Sequence, residues 1–233
     1  MMKKGIIKSI PWLNNLFTCL YKKIGNFSFP GSKNYWENRY QKGGDSGGGS
    51  YKHLAEFKAR ILNSFVEEHK VEKVIEFGCG DGNQLTLAKY PAYIGLDVSQ
   101  TAISACIEKF KTDLEKSFFL YDSLLFADHH KVFQADLAMS LDVIYHLVED
   151  EIFEKYMRDL FASSEKYVII YSSNFDGEQN AFCRSREFTR FVADFLPHWR
   201  LKETIKNEFP FDPENPDPKG TSWSDFFIYE KID

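Results

Sequence analysis

Apolar positions recur at helical spacing twice in the first third of the chain. Leu13, Leu16, Phe17, Leu20 and Ile24 make one stripe, with Asn14, Asn15, Lys22 and Lys23 largely elsewhere around the axis. Pro11, behind Ser9 or Ile10, suits a first helical turn, so an amphipathic helix is expected here. Leu54, Phe57, Ile61, Leu62, Phe65 and Val66 repeat with the same period and predict a second helix between Tyr51 and Lys70.

Beyond residue 70 the period alternates between strand and helix. Apolar, β-rich runs at 71–77, 92–97, 117–121, 135–141 and 167–171 read as strands. Helical patterns at 83–89, at 99–111 with Ser99 as N-cap, and at 149–163 lie between them. Val168-Ile169-Ile170 is the continuous apolar run of a strand covered on both faces. After a helix at 187–196 come two strands, 199–208 and 222–229, joined by a loop with four prolines. Strand–helix alternation implies right-handed crossovers and a parallel sheet, and the last two strands an antiparallel terminal hairpin. The expectation is an α/β fold: a seven-stranded, mostly parallel sheet with helices on both faces and an N-terminal helical extension. Residues 51–233 would form the main domain and 1–50 the helix plus a cap.

Composition narrows the class. At 233 residues, 43% hydrophobic and 27% charged, the chain can bury a sizeable core, and no apolar run approaches the roughly 20 residues of a membrane span. Lys8, Pro11, Asn14 and Asn15 interrupt any secretion signal. Cys19, Cys79, Cys106 and Cys183 show no paired spacing, which suits a reducing cytoplasm. Residues 1–30 hold five lysines and no acid, so removing them from the net −5 leaves −10 on the other 203 residues. An acidic body argues against nucleic acid as a partner. The basic amphipathic stretch suits docking on the body or on a partner, or peripheral contact with the inner face of a membrane. Between residues 43 and 50, five glycines in eight residues hold no regular element. Flanked by Tyr35, Trp36, Arg39 and Tyr40, that run reads either as a linker or as a lid over a ligand.

The chemistry is concentrated in Val74-Ile-Glu76-Phe-Gly78-Cys79-Gly80-Asp-Gly82, an apolar strand that ends in glycines and opens toward a helix. Such a turn lets a ligand approach the backbone. Fifteen residues past Gly82, the strand Tyr93-Ile-Gly-Leu-Asp97 ends in an acid, where a carboxylate accepts both hydroxyls of a ribose. A dinucleotide fingerprint needs glycine at position 83, where this chain has Asn83, so GxGxG fits a pyrophosphate poorly.

Three segments together resemble the class I S-adenosylmethionine-dependent methyltransferases: Glu76-Phe-Gly-Cys-Gly-Asp-Gly82, Gly95-Leu-Asp-Val-Ser99 and Asp136-Leu-Ala-Met-Ser-Leu-Asp142-Val-Ile-Tyr-His146. The resemblance covers about residues 71–172 and implies a Rossmann-like sheet with S-adenosyl-L-methionine as cofactor. It implies that Gly78 and Gly80 pass the methionine part, that Asp97 holds the ribose, and that Asp122 lies near the adenine amine. Glu76, Cys79, Gly82, Val98 and Ser140 are expected around the same cofactor, with Trp36 and Arg39 folding over it. Glu76 would organise the glycine turn or the methionine ammonium, or else find a local partner at the strand end. Arg39 would clamp a carboxylate, or the segment would pack the N-terminal helix on the body.

An alcohol acceptor must lose its proton during attack, and His146, just past the strand 135–141, is the candidate base; a structural role is its alternative. Asp142 and Tyr145 share its location. The adjacent His129 and His130 are not expected to bind metal. Arg184 and Arg186, with Tyr171, are candidate acceptor contacts, surface arginines being the alternative. The chain also resembles bacterial methyltransferases of surface-polysaccharide assembly, which implies a glycan or small-molecule acceptor; a noncatalytic scaffold of the same fold is the competing reading.

Overall fold

The computed structural model describes residues 29–177, 182–215, 217 and 220–232. The expected helix over Leu13–Ile24 therefore lies outside the described residues. The chain divides after Pro30, and the unit Gly31–Asp233 includes the segment 32–50. Among the described residues, no helix is long and apolar enough to cross a membrane.

Seven strands form one sheet: β1 (Lys73–Phe77), β2 (Ala92–Asp97), β3 (Lys116–Leu120), β4 (Ala135–Leu141), β5 (Ser164–Ser172), β6 (Trp199–Ile205) and β7 (Asp225–Lys231). Their order is β3-β2-β1-β4-β5-β7-β6. The first five are parallel, and β7 runs antiparallel to both β5 and β6. The helices are α1 (Ser32–Gln41), α2 (Lys52–Glu68), α3 (Gln100–Lys109), α4 (Asp150–Ala162) and α5 (Phe188–Phe195).

Alternation along the central strands builds a core on each face, as a period of two requires. Val74 of β1 and Leu137 and Met139 of β4 face α2 with Phe57, Leu62 and Phe65. Ile75, Phe77 and Ala138 face the other way, toward Phe153, Met157 and Leu160 of α4. Asp150 and Glu151 lie in the first turn of α4, where the helix dipole favours negative charge. At α3 the Ser99 hydroxyl caps the Ala102 amide at 3.1 Å.

Two expectations shift. The 83–89 stretch closes only as a single 3₁₀ turn, Gln84–Leu87, after which Ala88 is already extended. The penultimate strand stops at Ile205; Asn207 leaves the ladder and bonds the carbonyls of Phe209 and Ser222 across the base of the loop. The segment around Tyr35–Tyr40 is a helix without an apolar stripe, so its contacts with neighbouring loops hold it.

The chain turns outward from β1 to β2 and β3, then returns to β4 on the other side of β1. Ligands of open α/β sheets bind outside the strand ends at this switch. Here the loops after β1 and β4 touch: Gly78 has φ 87°, and a Cβ on it would lie 2.4 Å from Val143 Cγ2. Gly78→Ala is expected to lower stability by at least about 1 kcal/mol in urea unfolding, and Val143→Ala in the same chain to recover part of the loss. An unchanged midpoint in Gly78→Ala would contradict this packing.

Candidate active site at the carboxyl edge of the sheet

Three segments converge on the β1–β4 crevice. The glycine turn follows β1, with Gly80 and Gly82 also at positive φ. The glycine run 43–50 folds directly onto that turn: Ser46 N–H donates to Asp81 Oδ2 at 3.0 Å, and Asp81 N–H donates to Ser46 Oγ at 2.9 Å. Tyr51 O–H adds a 2.6 Å bond to the same Asp81 oxygen, and Asn83 Nδ2 reaches Ser50 O at 2.7 Å. A side chain at Gly80 would strike Ser46 Oγ at 2.3 Å. Of the linker and lid readings, the described geometry is that of a cover packed on the turn.

Helix α1 crosses the strand ends and touches most of them. Ser32 Oγ bonds Glu149 Oε2 at 2.5 Å and His146 O at 2.8 Å. Lys33 pairs with Asp122 at 2.6 Å. Trp36 meets the His146 ring edge-on, with centroids 4.9 Å apart. Glu37 accepts from Ser99 Oγ at 2.6 Å and from Thr101 Oγ1 at 2.7 Å at the start of α3. Hydrogen bonds from Ser99 and then Thr101 draw the Glu37 carboxyl down to about 2. Arg39 is paired with Asp45 at 2.8 Å.

Asp97 is buried at the tip of β2. It accepts the Gly80 amide at 2.9 Å and the Ser99 amide at 2.8 Å, one on each carboxylate oxygen. Burial raises its carboxyl to about 6 against those bonds. The Val98 amide also bonds this carboxylate, and the acceptor capacity that remains on its two oxygens is what hydroxyl partners would use. Val98 beside it is half-buried, on the fringe of the core. Glu76 is buried in β1, bonded by Tyr93 O–H at 2.6 Å, and pushed up to about 7 by burial. Its partner is thus on β2, not on the glycine turn. Cys79 is buried beside Cys106, and the hydrogen bond between the two thiols, together with burial, drives its thiol well up, so it is not a nucleophile.

Past β4, Asp142 has φ 59°, uncommon for a residue with a side chain. Four contacts hold it. Its amide donates to Tyr171 O at 2.8 Å; its carboxylate takes Lys58 Nζ at 2.8 Å, Ser224 O–H at 2.9 Å and Tyr145 O–H at 3.2 Å. Gly49 sits so close that a Cβ would be 2.6 Å from Asp142 Oδ2. Lys58, on the buried face of α2, is fully buried and also lies over the Tyr171 ring. Asp142 is therefore an anchor whose oxygens are already engaged, and neither it nor Tyr145 bonds a ring nitrogen of His146.

His146 is oriented differently. Its Nδ1 lies 3.1 Å from the Phe182 carbonyl and 3.3 Å from Cys183 Sγ. Donation from Nδ1–H to that carbonyl leaves Nε2 with its lone pair. Burial lowers the imidazole below its ordinary value, so the ring is neutral at pH 7.

Four expected contacts are placed elsewhere. Ser140 is buried within β4, its hydroxyl shared with Tyr156 at 2.7 Å, which in turn donates to Phe77 O. Arg186 is buried, bonded to the carbonyls of Leu147 and Val148 and to Asp150, because a guanidinium there satisfies the start of α4. Arg184 shares Asp150 at 2.8 Å. Tyr171 is a buried ring between Lys58 and Phe226. The last three form supports for the loop after β4 and not an open acceptor site.

Lys58, Ser46, Asp81 and Ser224 escaped the sequence reading. Lys58 carries the one usable signal: it lies four residues from both Leu54 and Leu62, a charge in the middle of an apolar stripe. Removing it strands a buried carboxylate. Lys58→Met is expected to cost roughly 3–5 kcal/mol in denaturant unfolding, and Lys58→Met with Asp142→Asn clearly less than the sum of the two single changes. Additive losses would refute the coupling.

No family model matches the chain. Over 134 residues it is 26% identical to the small RNA 2′-O-methyltransferase of Arabidopsis thaliana, which matches 53% of this chain and 14% of that protein. Among solved structures, the methyltransferase domain of bacterial CtHen1-C superposes with a TM-score of 0.58 at 20% identity, covering 76% of this chain and 97% of that one. The N-methyltransferase NodS of Bradyrhizobium japonicum, bound to S-adenosyl-L-homocysteine, gives 0.58 at 14% identity over 77% and 88% of the two chains. Magnesium protoporphyrin IX methyltransferase of Synechocystis PCC 6803, with the same bound product, gives 0.58 at 13% identity over 85% and 97%. The chain thus has the fold of the class I S-adenosylmethionine-dependent methyltransferases.

Proposed function

We propose that the protein is an S-adenosylmethionine-dependent methyltransferase that methylates a hydroxyl of a sugar or glycan. The observation that carries this reading is the buried Asp97 carboxylate beside a glycine turn at the sheet's switch point, with the neutral His146 across the same crevice. Asp97 would accept the ribose hydroxyls. Gly78 and Gly80 leave room for the methionine part, Arg39 would exchange Asp45 for its carboxylate, and Asp122 would exchange Lys33 for the adenine amine. Trp36, Cys79 and Val98 supply apolar walls. When bound, the cofactor supplies an electrophilic methyl group on a positively charged sulfur.

The chain's own contribution is alignment and proton removal. Phe182 O fixes the His146 ring, and Nε2 takes the acceptor hydroxyl's proton as its oxygen attacks. Lys58, Ser224 and Tyr145 hold Asp142 and with it the backbone leading to His146. Helix α1, lying over the imidazole, excludes water. The polysaccharide setting rests on the resemblance of the whole chain, and contact of residues 1–30 with a membrane on their five lysines. A ribose hydroxyl of RNA is a second reading, favoured by the plant relative's name; both acceptors are sugar hydroxyls.

Calorimetry is expected to show S-adenosylmethionine binding that weakens at least about tenfold in Asp97→Ala, two charge-assisted hydrogen bonds being lost. Because protonation removes acceptor capacity, affinity should fall as pH drops through about 6, the value burial gives Asp97. Unaltered binding in Asp97→Ala would refute the ribose assignment. With a labelled methyl donor and a true acceptor, His146→Gln should lose about 100-fold or more in turnover while cofactor affinity holds. Full turnover would remove His146 as the base.

A further inference from the structure

We infer that Trp223, Phe211 and Phe175 form an aromatic ledge that binds a neutral sugar ring of the acceptor beside the methyl-transfer crevice. This inference rests on the sugar-hydroxyl reading and names the surface that would hold the sugar.

Trp223 is 59% exposed although it immediately precedes Ser224, which is buried and bonded to Asp142 at 2.9 Å. Neighbouring Cα atoms are about 3.8 Å apart, so the backbone that carries the indole adjoins a residue bonded to the loop after β4. Phe211 stacks on it, with centroids 4.4 Å apart and planes at 21°. Phe175, three residues past β5 and 43% exposed, stands near a right angle to it at 5.7 Å. Three rings together make a contiguous apolar patch, with the indole its most exposed face and Phe175 standing edge-on beside it.

The ledge is rigid. Phe211 N–H bonds Ser222 O at 2.9 Å, and Ser222 N–H bonds Phe209 O at 3.0 Å. Asp225 accepts the Asn207 amide at 2.9 Å, and Phe209 packs on the His53 ring at 4.5 Å, tying the loop to α2. A platform fixed in this way loses little entropy on binding.

Charge selects among flat ligands. Among the described residues, three cations near the ledge are paired: Arg190 with Asp176 at 2.6 Å, Lys206 with Asp225 at 2.7 Å and Arg60 with Glu208 at 2.7 Å. Asp212, Glu214 and Asp217 stand exposed on the same loop. Such a rim repels a phosphodiester chain and offers carboxylate acceptors to hydroxyl groups. A pyranose meets both demands, with one face of C–H groups for the indole and hydroxyls around its edge.

The full-length chain, saturated with S-adenosyl-L-homocysteine, is titrated calorimetrically with maltotriose, cellotriose and N,N′,N″-triacetylchitotriose, and with a uridine oligonucleotide. At least one trisaccharide is expected to bind, about tenfold more weakly to Trp223→Ala, with Trp223→Phe retaining most of the affinity and S-adenosyl-L-homocysteine affinity unchanged in both. Equal trisaccharide affinity in Trp223→Ala, or no trisaccharide binding to the wild type, would overturn the ledge. Binding of the oligonucleotide alone, weakening with salt, would overturn it in favour of RNA. Failure of the wild type to bind S-adenosyl-L-homocysteine would instead overturn the cofactor reading, which a separate titration with that compound detects.

Discussion

Backbone-to-neighbour approaches that no side chain would permit are the constraint from which the crevice follows. Gly78 lies against Val143, Gly80 against Ser46 and Gly49 against Asp142, each at a distance where a Cβ would clash. Through these three contacts the turn after β1, the loop after β4 and the cover 43–50 share one small volume at the carboxyl edge of the sheet. The conformational entropy that glycine loses on folding is offset by the hydrogen bonds the approach allows, notably the reciprocal pair between Ser46 and Asp81. A cover made of bulkier residues would stand off and leave the edge open to water.

Electrostatics follow from that closure. Burial raises Asp97 to about 6 and Glu76 to about 7, so two carboxyl groups next to the turn are held less acidic than in water. For both, the folded value exceeds the unfolded one. The stability they contribute is complete below the ordinary carboxylate range and is lost as pH rises through about 6 and 7. Asp142 has Lys58 brought into the core beside it as an ion-pair partner. The imidazole of His146 is shifted the other way, toward its neutral form, by the same exclusion of water. An acidic, partly protonated pocket facing a neutral base suits a positively charged ligand and a proton-losing acceptor.

Much of the frame is legible in the chain because it rests on local periodicity. The strands 92–97 and 135–141 are where their alternation places them, and the GxGxG turn with Asp97 marks the switch point. What is not legible depends on long-range partners. Helix α1 has no apolar stripe and is held by Glu37, Ser32 and Lys33, each bonded to a residue far along the chain. Arg184 and Arg186 look like ligand contacts in sequence, yet a single carboxylate, Asp150, recruits both. Ser140 sits in a motif but on the inward face of its strand, and Trp223 emerges beside the crevice only because β7 pairs antiparallel with β5.

The most direct test of the account is a crystal structure of the chain grown with S-adenosyl-L-homocysteine. The account predicts both ribose hydroxyls on the Asp97 carboxylate, the thioether sulfur between the Gly78 turn and His146, and α1 closed over it. A ligand-free crevice, or the nucleoside bound away from Asp97, would contradict it.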